Sequence, residues 1–247
     1  MSFWRPGASA PGSEEEEGSL VFNPLLQGRL PVSQHRRELL FALEQYSCLV
    51  VTGPTGSGKT TQIPRMLFEA GWHSGIVVTQ PRRIAAVSVS AHVAQELQSE
   101  LGGLVGYSVR FEEKSDPART KIKFVTDGML IRETLSDPLL LQYGVVILDE
   151  AHERTVSTDV LLGLVKKIMK QRKDLKVIVS SATIETAQFY QFFHSKDRPC
   201  RVISVQGRSF PVDILNLREP CRNYVLKAVE TAVSIHKNEK DVSICNQ

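Results

Sequence analysis

The sequence has little of what marks secreted, membrane-spanning or metal-built proteins. It holds four cysteines in 247 residues. Cys48, Cys200, Cys221 and Cys245 form no C-x-x-C pair and no metal-ligand spacing, so a zinc module or a disulfide framework is excluded and reduced thiols are expected. No apolar run is long enough to span a bilayer, so no membrane partner is expected. The first residues, Met1-Ser2-Phe3-Trp4-Arg5-Pro6-Gly7, carry no apolar signal core, which leaves cytoplasm or nucleus as the expected location. Aromatic residues are only 7% of the chain and none clusters among its basic segments, so no base-stacking platform is expected. Neither charge sign dominates. Thirty Lys and Arg stand against 27 Asp and Glu, and a net charge of +3 is compatible with nucleic acid without arguing for it.

What the chain does have is one motif with its full setting. Gly53-Pro54-Thr55-Gly56-Ser57-Gly58-Lys59-Thr60 fits the phosphate-binding pattern G-x-x-x-x-G-K-[ST]. The apolar run Cys48 to Val51 leads into it, and a helix-compatible stretch from Thr61 to Ala70 follows. Glycines let backbone N–H groups turn toward phosphate oxygens, and a helix N-terminus adds positive partial charge at the same point. In this pattern Lys59 reaches the β- and γ-phosphates of ATP and the Thr60 hydroxyl holds Mg²⁺.

Around the motif, short β-rich runs recur: Cys48 to Thr52, Gly75 to Thr79, Ile122 to Thr126, Val145 to Asp149, Lys176 to Ser180 and Arg201 to Val205. Amphipathic stretches lie between most of them, for example Ile84 to Leu101 and Val156 to Lys173, and Gln34 to Tyr46 precedes the first. Such alternation predicts an α/β fold with a mostly parallel sheet and helices on both faces. Five of the six runs end in polar or Gly-rich tips, which a parallel sheet places along one edge where ligands bind. The doubly buried run Val145 to Leu148 delivers Asp149 and Glu150 to that edge. There Asp149 is expected to help hold Mg²⁺ and Glu150 to orient and deprotonate an attacking water.

The tips themselves are Gly53 to Thr60, Thr79-Gln80-Pro81-Arg82-Arg83, Thr126-Asp127-Gly128, Asp149-Glu150-Ala151-His152 and Ser181-Ala182-Thr183. Together they resemble motifs I, Ia, Ib, II and III of the DEAH-box helicases, superfamily 2 enzymes that remodel RNA. Val105 to Phe111 and Leu148 to Thr155 agree as well, and the likeness runs from about Leu30 to Lys237. It implies a RecA-like P-loop domain that binds ATP and Mg²⁺ through Gly53, Pro54, Thr55, Gly56, Ser57, Gly58, Lys59, Thr60 and Thr61. It implies metal contacts from Thr60, Asp149 and Glu150, and chemistry from Glu150, Asp149, Lys59 and His152. His152, Ser181 and Thr183 would couple the nucleotide state to domain movement. Arg82, Arg83, Arg110, Thr126 and Asp127 would touch the RNA backbone. The Phe-Trp-Arg-Pro-Gly start resembles one spliceosome-associated branch, which implies splicing or activator proteins as partners and favours the nucleus.

Two departures stand out. Where the family carries an adenine-stacking arginine, this chain has His92, which lacks a fixed guanidinium charge. No Q-x-x-G-R-x-G-R motif follows. The expected layout is a disordered tail at 1–32, a RecA-like ATP-binding domain at 33–216, and a linker with the truncated start of a second such domain at 217–247. The alternatives left open are a short form that binds nucleotide or RNA without unwinding, and another P-loop ATPase acting on DNA.

Overall fold

In the computed structural model, residues 30–183, 186–207 and 222–238 are described. Residues 1–29 of the expected tail (1–32), 208–216 of the expected RecA-like domain, and 217–221 and 239–247 of the expected linker and second-domain start (217–247) fall outside them. The chain divides into two units, Met1–Arg208 and Ser209–Gln247.

Runs of Val and Ile with no polar face are stable only as strands covered on both sides. In the first unit, β1 (Cys48–Thr52), β2 (Ile76–Gln80) and β3 (Val105–Val109) are buried at every position. β4 (Glu112–Lys114) is exposed throughout, and β5 (Ile122–Thr126), β6 (Val145–Leu148), β7 (Lys176–Ser181) and β8 (Cys200–Ser204) complete the sheet. The spatial order is β4-β3-β5-β2-β6-β7-β1-β8, and every pairing is parallel except that of β3 with β4.

Alternate residues feed two cores. Leu49, Val51, Ile76, Val78, Ile122, Phe124, Val145 and Ile147 join the core beneath α2 (Arg36–Gln45), α3 (Lys59–Glu69) and α4 (Arg83–Glu96). Val50, Val77, Val125, Val146, Leu148, Val177 and Val179 join the core beneath α5 (Asp127–Ser136), α6 (Val156–Gln171) and α7 (Thr186–Phe193). Helices therefore cover both faces, as the alternation predicts. Each fully buried Leu, Ile, Val or Phe contributes about 1.5–3 kcal/mol.

Two strands were not anticipated. β3 and β4 form a hairpin on the sheet edge, closed by the two-residue turn Arg110-Phe111, with Phe111 at φ 69°. α4 also ends earlier than the predicted Leu101. It stops at Glu96, and Gln98 at φ 51° turns the chain out of the helix. At the start, α1 (Pro31–Gln34) begins inside the stretch expected to be tail, and Val32 is fully buried.

The described part of the second unit is helix α8 (Tyr224–Asn238). Asn223 Oδ1 accepts the Leu226 N–H at 3.0 Å and so caps its first turn.

Candidate active site

Parallel pairing aligns the carboxyl ends of β5, β2, β6, β7 and β1 along one edge, and the polar tips follow from it. The P-loop leaves β1 and enters α3 through Gly58 at φ 88°, a left-handed conformation that glycine adopts without cost. Neighbours hold the loop from two sides. Val32 N–H donates to the Ser57 carbonyl at 3.0 Å, and Gly53 N–H donates to the Ser181 carbonyl at 3.2 Å. A Cβ at Gly53 would stand 2.9 Å from the Val205 carbonyl oxygen, so the loop's close approach to the chain leaving β8 requires glycine there.

Lys59 lies inside this cradle. Its ammonium donates to the carbonyls of Gly53 at 2.6 Å and Pro54 at 3.0 Å, and to Ser57 Oγ at 3.3 Å. Burial lowers its pKa, while the Asp149 and Glu150 carboxylates pull the other way. From the opposite side of the cleft comes Asp149, 1% exposed at the tip of β6. Its Oδ2 accepts the Thr60 hydroxyl at 2.5 Å and the Gln80 side-chain amide at 2.7 Å. Its buried Oδ1 has no partner.

Glu150 adopts φ 51° and ψ 35°. A left-handed conformation costs a glutamate roughly 1–2 kcal/mol, and strain of this kind is concentrated at functional sites. Burial raises its pKa, reinforced by the neighbouring Asp149 charge. His152 Nδ1 accepts the Ala182 N–H at 3.3 Å and lies 3.4 Å from Glu150 Oε2. That single nitrogen therefore faces both the carboxylate and the loop after β7. In that loop the Ser181 and Thr183 hydroxyls are 3.3 Å apart, and Thr52 Oγ1 donates to the Thr183 carbonyl at 2.9 Å.

The basic tips stand apart from this buried set. The Arg82 side chain is 75% exposed and pairs with Glu153 at 3.3 Å; that of Arg83 is 54% exposed and lies 3.6 Å from Glu112. Arg110 lies over the Phe111 ring at 4.7 Å. Thr126 is half-buried just before α5. Asp127 behaves differently from its neighbours. It is 2% exposed, and its Oδ2 accepts the Thr158 hydroxyl at 2.5 Å. Burial raises its pKa. Its side chain ties α5 to α6 and faces the interior. His92 is 54% exposed on α4 and lies 3.3 Å from Glu96 Oε1, and the same carboxylate accepts from Gln62 of α3 at 2.8 and 3.0 Å.

Sequence reasoning missed two groups. One is Gln80, whose amide reaches Asp149. The other is the chain at Leu30–Val32, which packs on Gly58. Only register and packing reveal either.

Residues 33–191 match the DEAD/DEAH box helicase family. The chain belongs to that family. Its motif II reads Asp149-Glu150-Ala151-His152, the DEAH form, and its fold is RecA-like. The chain is 45% identical over 267 aligned residues to the probable ATP-dependent RNA helicase DHX35 of Homo sapiens, covering 98% of this chain and 38% of that protein. It is 49% identical over 210 residues to the putative pre-mRNA-splicing factor ATP-dependent RNA helicase C20H4.09 of Schizosaccharomyces pombe, covering 84% and 32%. It is 46% identical over 220 residues to the Caenorhabditis elegans DHX35 homolog, covering 85% and 30%. The chain thus spans between three and four tenths of the length of these relatives. Among the described residues no helix is long and apolar enough to cross a membrane.

Proposed function

We propose that this chain is the ATP-binding lobe of an ATP-dependent RNA-remodelling enzyme, with residues 33–216 as its RecA-like domain and 217–247 as the linker and opening of a second. The observation that carries the reading is the 2.5 Å hydrogen bond between Thr60 and Asp149, 89 positions apart, which joins the phosphate loop to the carboxylate pair. ATP is the substrate whose triphosphate the loop from Gly53 to Thr61 would cradle, with the Lys59 ammonium exchanging loop carbonyls for phosphate oxygens.

The residues present fit Mg²⁺. Among the described residues no three His, Cys, Asp or Glu side chains are grouped to hold a metal alone, and Mg²⁺ at nucleotide sites takes one or two protein oxygens plus phosphates and waters. Asp149 has a buried oxygen without a partner. Thr60 donates its proton to Asp149 and keeps its lone pairs for a cation. Thr60 and Asp149 would hold the ion, which would supply positive charge against the charge developing on the phosphates. Glu150, adjacent to Asp149, is then the group that orients and deprotonates water. Ser181, Thr183 and His152 link that position to the β7 loop.

RNA is the proposed partner of the exposed edge. Arg82 and Arg83 hold only surface ion pairs, worth about 0–1 kcal/mol each, so phosphates can displace their acids. Arg110 and Thr126 lie on neighbouring tips, and the Asp127 side chain supports the surface from within. The pre-mRNA-splicing factor relative supports spliceosomal or activator partners and a nuclear location. In the same reading His92 meets the nucleotide base and, lacking the fixed charge of a guanidinium, holds it weakly.

The test joins this chain to the remaining length of the human relative. Native turnover should rise with single-stranded RNA and not with DNA of the same sequence. Glu150→Gln should keep nucleotide affinity within about threefold and lower turnover by about 10²–10⁴. Unchanged turnover would remove Glu150 from its role, and stimulation by DNA alone would favour a DNA translocase.

A further inference from the structure

Asp149 is held by two donors, and only one of them belongs to the phosphate loop. Gln80 is the last residue of β2, in register beside the β6 tip because Thr79 pairs with Leu148. It is 3% exposed, and its Nε2 donates to Asp149 Oδ2 at 2.7 Å. A buried amide is costly to leave unpaired, and this one is spent on the carboxylate oxygen that Thr60 also addresses. Thr60 sits in the first turn of α3, immediately after the phosphate loop, and its hydroxyl would itself be drawn to the cation. Gln80 sits inside a sheet whose strand is buried on both faces. Its amide is therefore the fixed one of the two donors, and it sets the rotation of the carboxylate that leaves Oδ1 free.

We propose that Gln80 is a positioning residue for the cation site, acting through Asp149 by fixing which carboxylate oxygen is presented to the ion. The proposal rests on the reading of Asp149 as a cation ligand given above. Carboxylates that bind metals are commonly oriented by such hydrogen bonds, and removing the partner typically costs 10–100-fold in metal affinity. Gln80→Met keeps the length and volume of the side chain and removes the donor.

The experiment measures binding of a fluorescent ATP analogue to the 247-residue chain at a series of Mg²⁺ concentrations, and again with chelator and no divalent cation. For native protein the analogue should bind more tightly as Mg²⁺ rises. For Gln80→Met the Mg²⁺ concentration giving half of that effect should rise about tenfold or more, while cation-free affinity stays within about twofold. Parallel loss in both conditions would mean a merely structural role and would overturn the proposal, as would an unmoved Mg²⁺ midpoint. Should Gln80→Met fail to fold, Gln80→Asn withdraws the amide by one methylene and is read in the same way. Unfolding of both variants makes Gln80 a stability residue and also overturns it. If native protein shows no Mg²⁺ dependence at all, the cation reading of Asp149 fails first, which separates the two failures.

Discussion

Two regions of one sheet edge do opposite things with charge. Between β1 and β6, Lys59 and Asp149 are buried, bonded to neighbours and coupled to each other's field. On the other side of β6, at the tips of the adjacent β2 and of β3 two strands beyond it, Arg82, Arg83 and Arg110 stand in solvent with loose pairs or a ring for company. The first arrangement fixes geometry in advance, as chemistry at a phosphate requires. The second offers mobile charge that any phosphate backbone can recruit, without reading bases. Mutations should therefore have large, specific effects on one side and modest, salt-dependent effects on the other.

The sharpest way to break that contrast is Lys59→Ala. Removing the ammonium takes away the buried cation that the proposed function sets against the triphosphate, and affinity for ATP should fall by about 100-fold, the loss of a charge-assisted bond or two at about 1.5–3 kcal/mol each. Isothermal titration against native protein reads it, and RNA affinity should not change. A Lys59→Ala protein that binds ATP normally would mean that the buried region is only a structural polar core.

Next in size is the double change Arg82→Ala with Arg83→Ala. RNA affinity should drop about tenfold, and the slope of log affinity against log salt should flatten by about one for each arginine that contacts phosphate. Fluorescence anisotropy at several salt concentrations measures both. Loss of ATP binding in the same variant would show that the two regions are not separable.

This division was only partly legible in the letters. The P-loop, the Asp149-Glu150 pair and the parallel sheet were readable because their residue types serve one purpose and their spacing is local. β4 was not, because Glu112-Glu113-Lys114 has no apolar signal; it is a strand only because the β3 hairpin folds it back onto the edge. Gln80 was not, because its role depends on which strand ends beside β6, and β6 lies 65 residues downstream of β2 in sequence. Asp127 was read for its motif neighbours and therefore as surface. Its direction is set by α5 beginning at that residue and by Thr158 of α6 meeting it inside.

Asp127 also supplies the smallest expected effect, and the one that tests the boundary between the regions. It lies next to Thr126 on the exposed side yet is buried like Asp149. Because burial raises its pKa, the folded protein binds its proton more readily than the unfolded chain does. Native stability should therefore fall as pH rises from the ordinary aspartate value of about 3.9 through the raised folded value. Asp127→Asn keeps an acceptor for Thr158 and carries no charge. Its stability should lack this component, so the variant should be more stable than native near pH 7 by on the order of 1 kcal/mol, or about 2–4 °C in Tm. The advantage should close below about pH 4, where the native carboxyl is protonated in both states. Thermal melts at pH 4 and pH 7 decide the matter. If Asp127→Asn is instead less stable at pH 7, the Thr158 bond outweighs the burial of the charge, and Asp127 belongs with the interlocked carboxylate of Asp149 in energy as well as in position.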